Sequence, residues 1–325
     1  MDDVEDKIHK VAGKHFDSSI SGLEELSGGA SHYTYLVSLS NREEYVFKLS
    51  NYDWSGLPDY ENGFPIDGPI LRFLSDIDAL PTPEALFFDS SEEDFDFKHL
   101  VSEKVEGENL FLSWDKIDLS VVKDAGRVIA KMHEEIRFNN HGKLGYRKES
   151  EEVYVEETER WVKMFSDILH SLTDNLEETG FSEYRSEIRE LFEENRHVLR
   201  ERPPAVLVHQ EFSPRNLIVR DSQIKGVLDW ERSISADPEY DLFTAERHFT
   251  VKTNLFEGTS QTEEEIQEAF REGYREVRGL EDGWRKRRKI YHLAYIVHVM
   301  WVLDEEVESH DILEEYEKIK SELTR

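Results

Sequence analysis

The 325-residue chain contains no cysteine, which excludes disulfides, thiolate metal sites and thiol nucleophiles. Basic side chains are scarce: 40 Lys and Arg stand against 71 Asp and Glu, a formal net charge of −31 at pH 7. Such a field repels polyphosphate backbones and argues against a protein that holds nucleic acid through its phosphates. Long apolar runs are also missing. The most apolar late stretch, residues 290–303, carries His292 and His298 and is shorter than the roughly 20 apolar residues that span a bilayer. The opening Met1-Asp2-Asp3-Val4-Glu5-Asp6 has neither the basic nor the apolar region of a secretory signal. The expectation is a soluble cytoplasmic protein, monomeric or homodimeric, without a nucleic-acid or membrane partner.

What is present suffices for a folded chain. Apolar residues make up 38% of the chain and aromatics 11%, enough for real cores, and the length suits one large domain or, the expectation here, two lobes with a cleft between them. The acidic excess is spread along the whole chain. It resembles the surface of proteins from a high-salt cytoplasm, where counter-ions screen self-repulsion, and predicts a halophilic protein.

The hydrophobic period divides the chain. Residues 34–39 and 44–49 are β-branched and aromatic runs joined by Ser40-Asn41-Arg42-Glu43, hairpin material. A helix is predicted around Pro69 with Asp67 as its N-cap, and strands at 86–88 and 100–105. From Leu119 the spacing turns helical, with Val122, Ala125, Val128, Ile129 and Met132, then Val162, Phe165, Ile168, Leu169 and Leu172. Short apolar runs at 205–208, 217–219 and 226–228 interrupt this helical half. They bracket polar turns, and polar residues at strand ends are good site candidates.

Those turns read His209-Gln210-Glu211-Phe212-Ser213-Pro214-Arg215-Asn216 and, after the next run, Asp229. Asn216 offers a neutral amide oxygen and Asp229 a carboxylate, hard oxygen donors of the kind Mg²⁺ takes alongside nucleotide phosphates. Alternation in Glu44-Tyr45-Val46-Phe47-Lys48-Leu49 puts Val46 and Lys48 on one face. Gly28-Gly29-Ala30-Ser31 precedes a strand, and glycine lets backbone N–H groups approach phosphates without Cβ hindrance. It is not a Walker loop, because the Gly-Lys-Ser/Thr ending is missing.

In order and rough spacing these segments, covering about residues 25–245, resemble the aminoglycoside phosphotransferase and choline kinase superfamily, whose fold is related to protein kinases. Further matches are Glu103-Lys104-Val105-Glu106-Gly107, His133, and Asp237-Pro238-Glu239-Tyr240-Asp241-Leu242. The resemblance implies an α+β, two-lobed protein-kinase-like fold: a small antiparallel N-terminal sheet at 1–107, and a larger, mainly helical lobe at 108–325 with the catalytic loop on a short hairpin. It implies an ATP- or GTP-dependent kinase acting on a hydroxyl of a small molecule.

Residue by residue, the resemblance implies Mg²⁺ on Asn216 and Asp229, and nucleotide contacts from Gly28, Gly29, Ser31, Val46 and Lys48 and from the backbone of Glu103 and Val105. Asp67 becomes the partner of Lys48, with Glu61 as rival. His209 and Asp241 brace the catalytic loop. Glu211 stands where the family has Asp, the residue that accepts or orients the acceptor hydroxyl proton. Its extra methylene can displace the oxygen, so a nucleotide-binding protein with weak or no transfer is the alternative. The acidic neighbourhood of Glu211, Asp229, Glu231 and Asp237 favours a neutral or cationic acceptor. Arg215 and the basic run Arg285-Lys286-Arg287-Arg288-Lys289 read as solvated or salt-bridged surface.

Overall fold

The computed structural model describes residues 2–26, 32–50, 63–75, 77, 80–89, 95, 97–114, 117–156, 160–255, 261–302 and 309–324. Gly28, Gly29, Ser31 and Glu61 lie outside the described residues.

The N-terminal lobe is an antiparallel sheet with one helix against it and a second at its edge. Helix α1 (Asp2–His15) is followed by β1 (Ile20–Glu25), β2 (His32–Leu39), β3 (Glu44–Ser50), α2 (Gly63–Ser75), β4 (Ala85–Asp89) and β5 (His99–Glu103), in the sheet order β1-β2-β3-β5-β4. Strand alternation decides what each face does. Phe47 and Leu49 of β3 are fully buried with Val37, Leu39 and Val101 against Ile8, Val11 and Ala12 of α1. The opposite face of β3, carrying Val46 and Lys48, is thereby left for the cleft. Helix α2 starts at Gly63, so Asp67 is not its N-cap: it sits inside the helix, and Pro69 lies inside it too.

The C-terminal lobe carries two further sheets among helices. It comprises β6 (Glu108–Asn109), α3 (Leu119–Glu135), β7 (Arg137–Phe138), β8 (Gly142–Arg147), β9 (Glu152–Val155), α4 (Trp161–Asn175), α5 (Arg185–Asn195), β10 (Ala205–Val208), β11 (Leu217–Arg220), β12 (Gln223–Val227), β13 (Ile234–Ala236), α6 (Pro238–Leu255), α7 (Glu263–Val277), α8 (Trp284–Val302) and α9 (Ser309–Leu323). Asp118 caps α3 by accepting from Ser120 N, and a Thr262–Glu265 capping box opens α7. The two helices pack very closely. A Cβ on Gly126 would sit 2.0 Å from Phe270 O, and one on Gly273 would sit 1.8 Å from Lys123 O, so only glycine permits this approach.

The strand pairing departs from the expected hairpin. Strand β10 belongs to the sheet β7-β10-β13-β8-β9, whereas β11 pairs with β12 and β6. Residues 209–216 therefore cross from one sheet to another, and the hairpin is β11–β12, with Ile218 opposite Gly226. The crossing loop and the turn after β12 emerge side by side: Leu228 N donates to Asn216 O at 2.8 Å. Among the described residues no helix is long and apolar enough to cross a membrane.

The basic run opening α8 is largely absorbed by carboxylates. Arg287 pairs with Glu239, Arg288 with Glu246 and Lys289 with Glu322, while Arg285 and Lys286 are exposed.

Candidate active site

Lys48 is the centre of the site. Its Nζ donates to Asp67 Oδ2 at 2.9 Å, Asp229 Oδ1 at 2.7 Å and Glu231 Oε2 at 3.3 Å. Three segments distant in sequence thus meet on one ammonium: β3, helix α2 and the turn after β12. Burial alone would lower the Lys48 pKa, but Asp67, Asp229 and Glu231 outweigh it and hold the ammonium well above its ordinary value. Asp67 uses its other oxygen, Oδ1, to accept from Trp230 N at 3.0 Å. That bond ties α2 to the turn and explains why a short carboxylate is placed inside the helix.

The turn itself is strained into place. Asp229 adopts φ 65°, a left-handed conformation uncommon for a residue with a side chain. Its carboxylate is 32% exposed, against 3% for Asp67, so Asp229 keeps contact with the cleft after meeting Lys48. Asn216 donates Nδ2 to Glu211 O at 3.0 Å, which turns its amide oxygen away from the loop backbone. A hard carboxylate and an amide oxygen therefore stand on two adjoining turns. This set fits Mg²⁺, which needs one or two protein oxygens beside phosphates and waters, and no larger His/Cys/Asp/Glu metal cluster occurs among the described residues.

The loop that begins at His209 hangs on Asp241. This residue is fully buried at the start of α6. Its Oδ2 accepts from His209 N at 3.0 Å and from His133 Nε2 at 3.1 Å, and its Oδ1 accepts from Gln210 N at 2.9 Å. Burial would raise the Asp241 pKa, but these donors, His133 foremost, hold it below the usual value. His209 is also buried and kept neutral by desolvation. Its Nε2–H donates to Leu228 O at 3.0 Å and its Nδ1 accepts from Glu211 N at 3.3 Å. The imidazole thus couples both turns, and Gln210, at φ 65°, makes the bend between them.

Glu211 lies one-third exposed beyond this bend, with Oε1 3.3 Å from Arg232 Nη1. Burial pushes its pKa up, Arg232 pulls it down, and Asp229 and Glu231 push it up again. His32 and Arg232 are contacts that reading the sequence did not assign, and Glu231 is named there only as one of the acidic neighbours. Glu231 joins Lys48 to His32 Nε2 at 2.5 Å, contacts that its place in the sequence does not announce. Burial would raise Glu231, but the bonds from His32 and Lys48 bring it down to about 2.

Val46 lies on the Lys48 face of β3. Glu103 is exposed at the end of β5, where it pairs with Tyr45. Val105 lies past the strand, close to Gly226 of β12. Gly107 has φ 149°, and a Cβ there would sit 2.6 Å from Val219 O, so only glycine suits this position. Arg215 stacks on Phe111, 3.8 Å from its ring centre, outside this constellation.

Comparison with known proteins gives the class. The APH phosphotransferase enzyme family model matches residues 22–290, so the chain belongs to that family and is a phosphotransferase with an alcohol group as acceptor. Its fold is that of a thermostable mutant of aminoglycoside phosphotransferase APH(4)-Ia in ternary complex with AMP-PNP and hygromycin B, at 16% identity over 98% of this chain and 97% of that one, with TM-score 0.66. A protein assigned as a fructosamine-3-kinase from Thermobifida fusca is similar at 16% identity over 97% and 98% of the two chains, with TM-score 0.66. The macrolide 2'-phosphotransferase MphH from Brachybacterium faecium is similar at 16% over 98% of each chain, with TM-score 0.60. Among curated proteins no sequence match is found.

Proposed function

We propose that this chain is an ATP-dependent small-molecule kinase, with Lys48 and Asp67 organising the nucleotide side of the cleft, Asn216 and Asp229 as Mg²⁺ ligands and Glu211 as the base. The observation that carries this reading is the meeting of Lys48 with Asp67 and Asp229. Phosphoryl transfer asks a protein chiefly to position oxygens and neutralise charge. A buried lysine held charged by carboxylates from a helix and from a metal-binding turn is built for that task. We place the junction of the lobes at Gly107, with the backbone of Glu103 and Val105 facing the nucleotide base, Val46 packing on it, and Gly28, Gly29 and Ser31 near the phosphates.

In the proposed reaction the acceptor hydroxyl gives its proton to Glu211 and its oxygen bonds to the γ-phosphorus of ATP, as the bond from that phosphorus to the β–γ bridging oxygen breaks and ADP leaves. Bound Mg²⁺ supplies charge neutralisation for the phosphates. The backbone of residues 209–211, pinned by Asp241, compensates for the longer side chain of Glu211 in a position where the family has Asp. The raised pKa of Glu211 makes it a better proton acceptor than a solvated carboxylate.

Titration calorimetry with ATP is the test. Binding should require Mg²⁺ and weaken at least about tenfold in Asp229→Asn, the effect of losing about 1.4 kcal/mol. Equal ATP affinity with and without Mg²⁺, in wild type and variant alike, would overturn the assignment of Asn216 and Asp229.

A further inference from the structure

Acidic residues crowd the sequence around Glu211, yet Asp229, Glu231 and Asp237 each have a partner of their own. Asp229 and Glu231 face Lys48. Asp237 is fully buried and accepts from Arg200 Nη2 at 2.8 Å and Tyr291 OH at 3.0 Å. The side chain that reaches Glu211 is Arg232.

Helix α6 borders the same loop. Asp241, which holds the catalytic loop, is followed at i+4 and i+7 by Ala245 and His248 on the same stripe. Phe249 stacks on Phe212, the residue after Glu211, with ring centres 6.3 Å apart and 17° between planes. His248 thus lies two turns along the helix face that borders the Glu211 segment. Its Nδ1 is buried and has no hydrogen-bond partner among the described residues, an unmet need in a folded protein. Helix α8 packs on α6 and carries His298, with Trp301 one turn on and its ring centre 5.8 Å away, edge-on. Arg232, from the turn that carries Asp229, reaches Glu211 and has its carbonyl held by Gln210 Nε2 at 2.6 Å.

We propose that His248 and His298, flanked by Arg232 and Trp301, form the acceptor-binding wall beside Glu211, and that the acceptor is an uncharged polyhydroxylated compound, a sugar or polyol, rather than a cationic amine. The inference rests on the kinase reading above and names its substrate class. A neutral imidazole offers one donor and one acceptor, the complement of a hydroxyl, and an indole face accepts the apolar side of a sugar ring. Desolvation, with the neighbouring His298 and Arg232, brings His248 down to about 4, and desolvation with Arg232 does the same to His298, so both are neutral at pH 7. A cationic acceptor would meet the guanidinium of Arg232 here and two uncharged rings.

The test pairs binding with turnover in one panel: glucose, fructose, ribose, myo-inositol and glycerol as neutral compounds, choline and hygromycin B as cations. Saturation-transfer NMR in concentrated KCl, with Mg²⁺ and AMP-PNP, reads binding, and ADP release from ATP reads turnover. At least one neutral compound should bind and be phosphorylated, with both cations at least about tenfold weaker. His248→Ala and His298→Ala should each raise the Kd of that compound roughly tenfold, the loss of a hydrogen bond, while the Kd of AMP-PNP moves less than about twofold, and His248→Gln should restore part of the loss. Preference for choline or hygromycin B, no binding of any neutral compound, or unchanged binding in both alanine variants would overturn the inference. Neutral-compound binding that is lost in the variants, but with no AMP-PNP binding and no ADP release, would leave the subsite standing and sink the kinase reading instead.

Discussion

Replacing Lys48 with Met keeps the length and apolar stem of the side chain and removes the one ammonium that Asp67, Asp229 and Glu231 share. The side chains of Asp67 and Glu231 are 3% and 6% exposed, so neither can be resolvated without opening the cleft. Removing one partner of a buried ion pair costs about 3–5 kcal/mol. Asp229, one-third exposed, adds little because water screens it. The expected loss is therefore about 3–5 kcal/mol rather than a sum over three pairs. Glu231 gives the effect a pH signature. Its folded pKa is depressed from 4.5 to about 2, so its contribution is fully present above pH 4.5 and is lost as pH falls toward 2. Lys48→Met removes part of that contribution, so wild type and variant should differ most at pH 7 and converge below pH 4.5. Urea unfolding followed by circular dichroism at pH 7, 5 and 3.5 measures the gap. A difference under about 1 kcal/mol at pH 7, the range of an exposed ion pair, or one that is constant across pH, would refute the reasoning.

Further outcomes follow from the same contacts. Asp241→Asn leaves a single acceptor oxygen for the N–H groups of His209 and Gln210 and for His133, so stability should fall by about 1–3 kcal/mol and kcat by more than the acceptor KM changes; a variant with wild-type kcat would remove Asp241 from the bracing of the loop. Arg232→Gln takes away the charge that pulls Glu211 down. The acid limb of the kcat profile, where the base protonates and activity falls, should then move to higher pH, and an unmoved limb would contradict the pairing. The net charge of −31 predicts that Tm rises as KCl is raised from about 0.1 M to 2 M, since the Debye length shrinks from about 10 Å to less than 3 Å; a falling Tm would count against a halophilic surface.

Much of the fold was legible because its signals are local. The β2–β3 hairpin, the apolar stripe of α3 and the short strands β10, β11 and β12 each declare themselves within a dozen residues through period and turn chemistry. Lys48 and Val46 sharing a face follows from alternation alone, but that the face meets the cleft depends on α1 covering Phe47 and Leu49, which no local pattern announces. Asp67 looks like an N-cap beside Pro69, and only the start of α2 at Gly63 and the distant bond to Trp230 N place it within the helix. The expected hairpin around residues 209–216 failed for a similar reason: β10 finds β13 and β7 instead of β11, a choice made by non-local pairing. The link from His32 to Glu231 spans 199 residues and leaves no trace in either neighbourhood.

In the proposed reaction Glu211, held by the loop that Asp241 pins, serves phosphoryl transfer to a hydroxyl. Incubating the protein with γ-labelled ATP, Mg²⁺ and the hydroxylated panel in concentrated KCl, and resolving the labelled products, tests it most directly. Wild type should move the label onto an acceptor, Glu211→Gln should lose at least about a hundredfold in kcat, the lower bound of general-base contributions, and Glu211→Asp should also be slower than wild type. Label transfer undiminished in Glu211→Gln, or a large gain in Glu211→Asp, would contradict it.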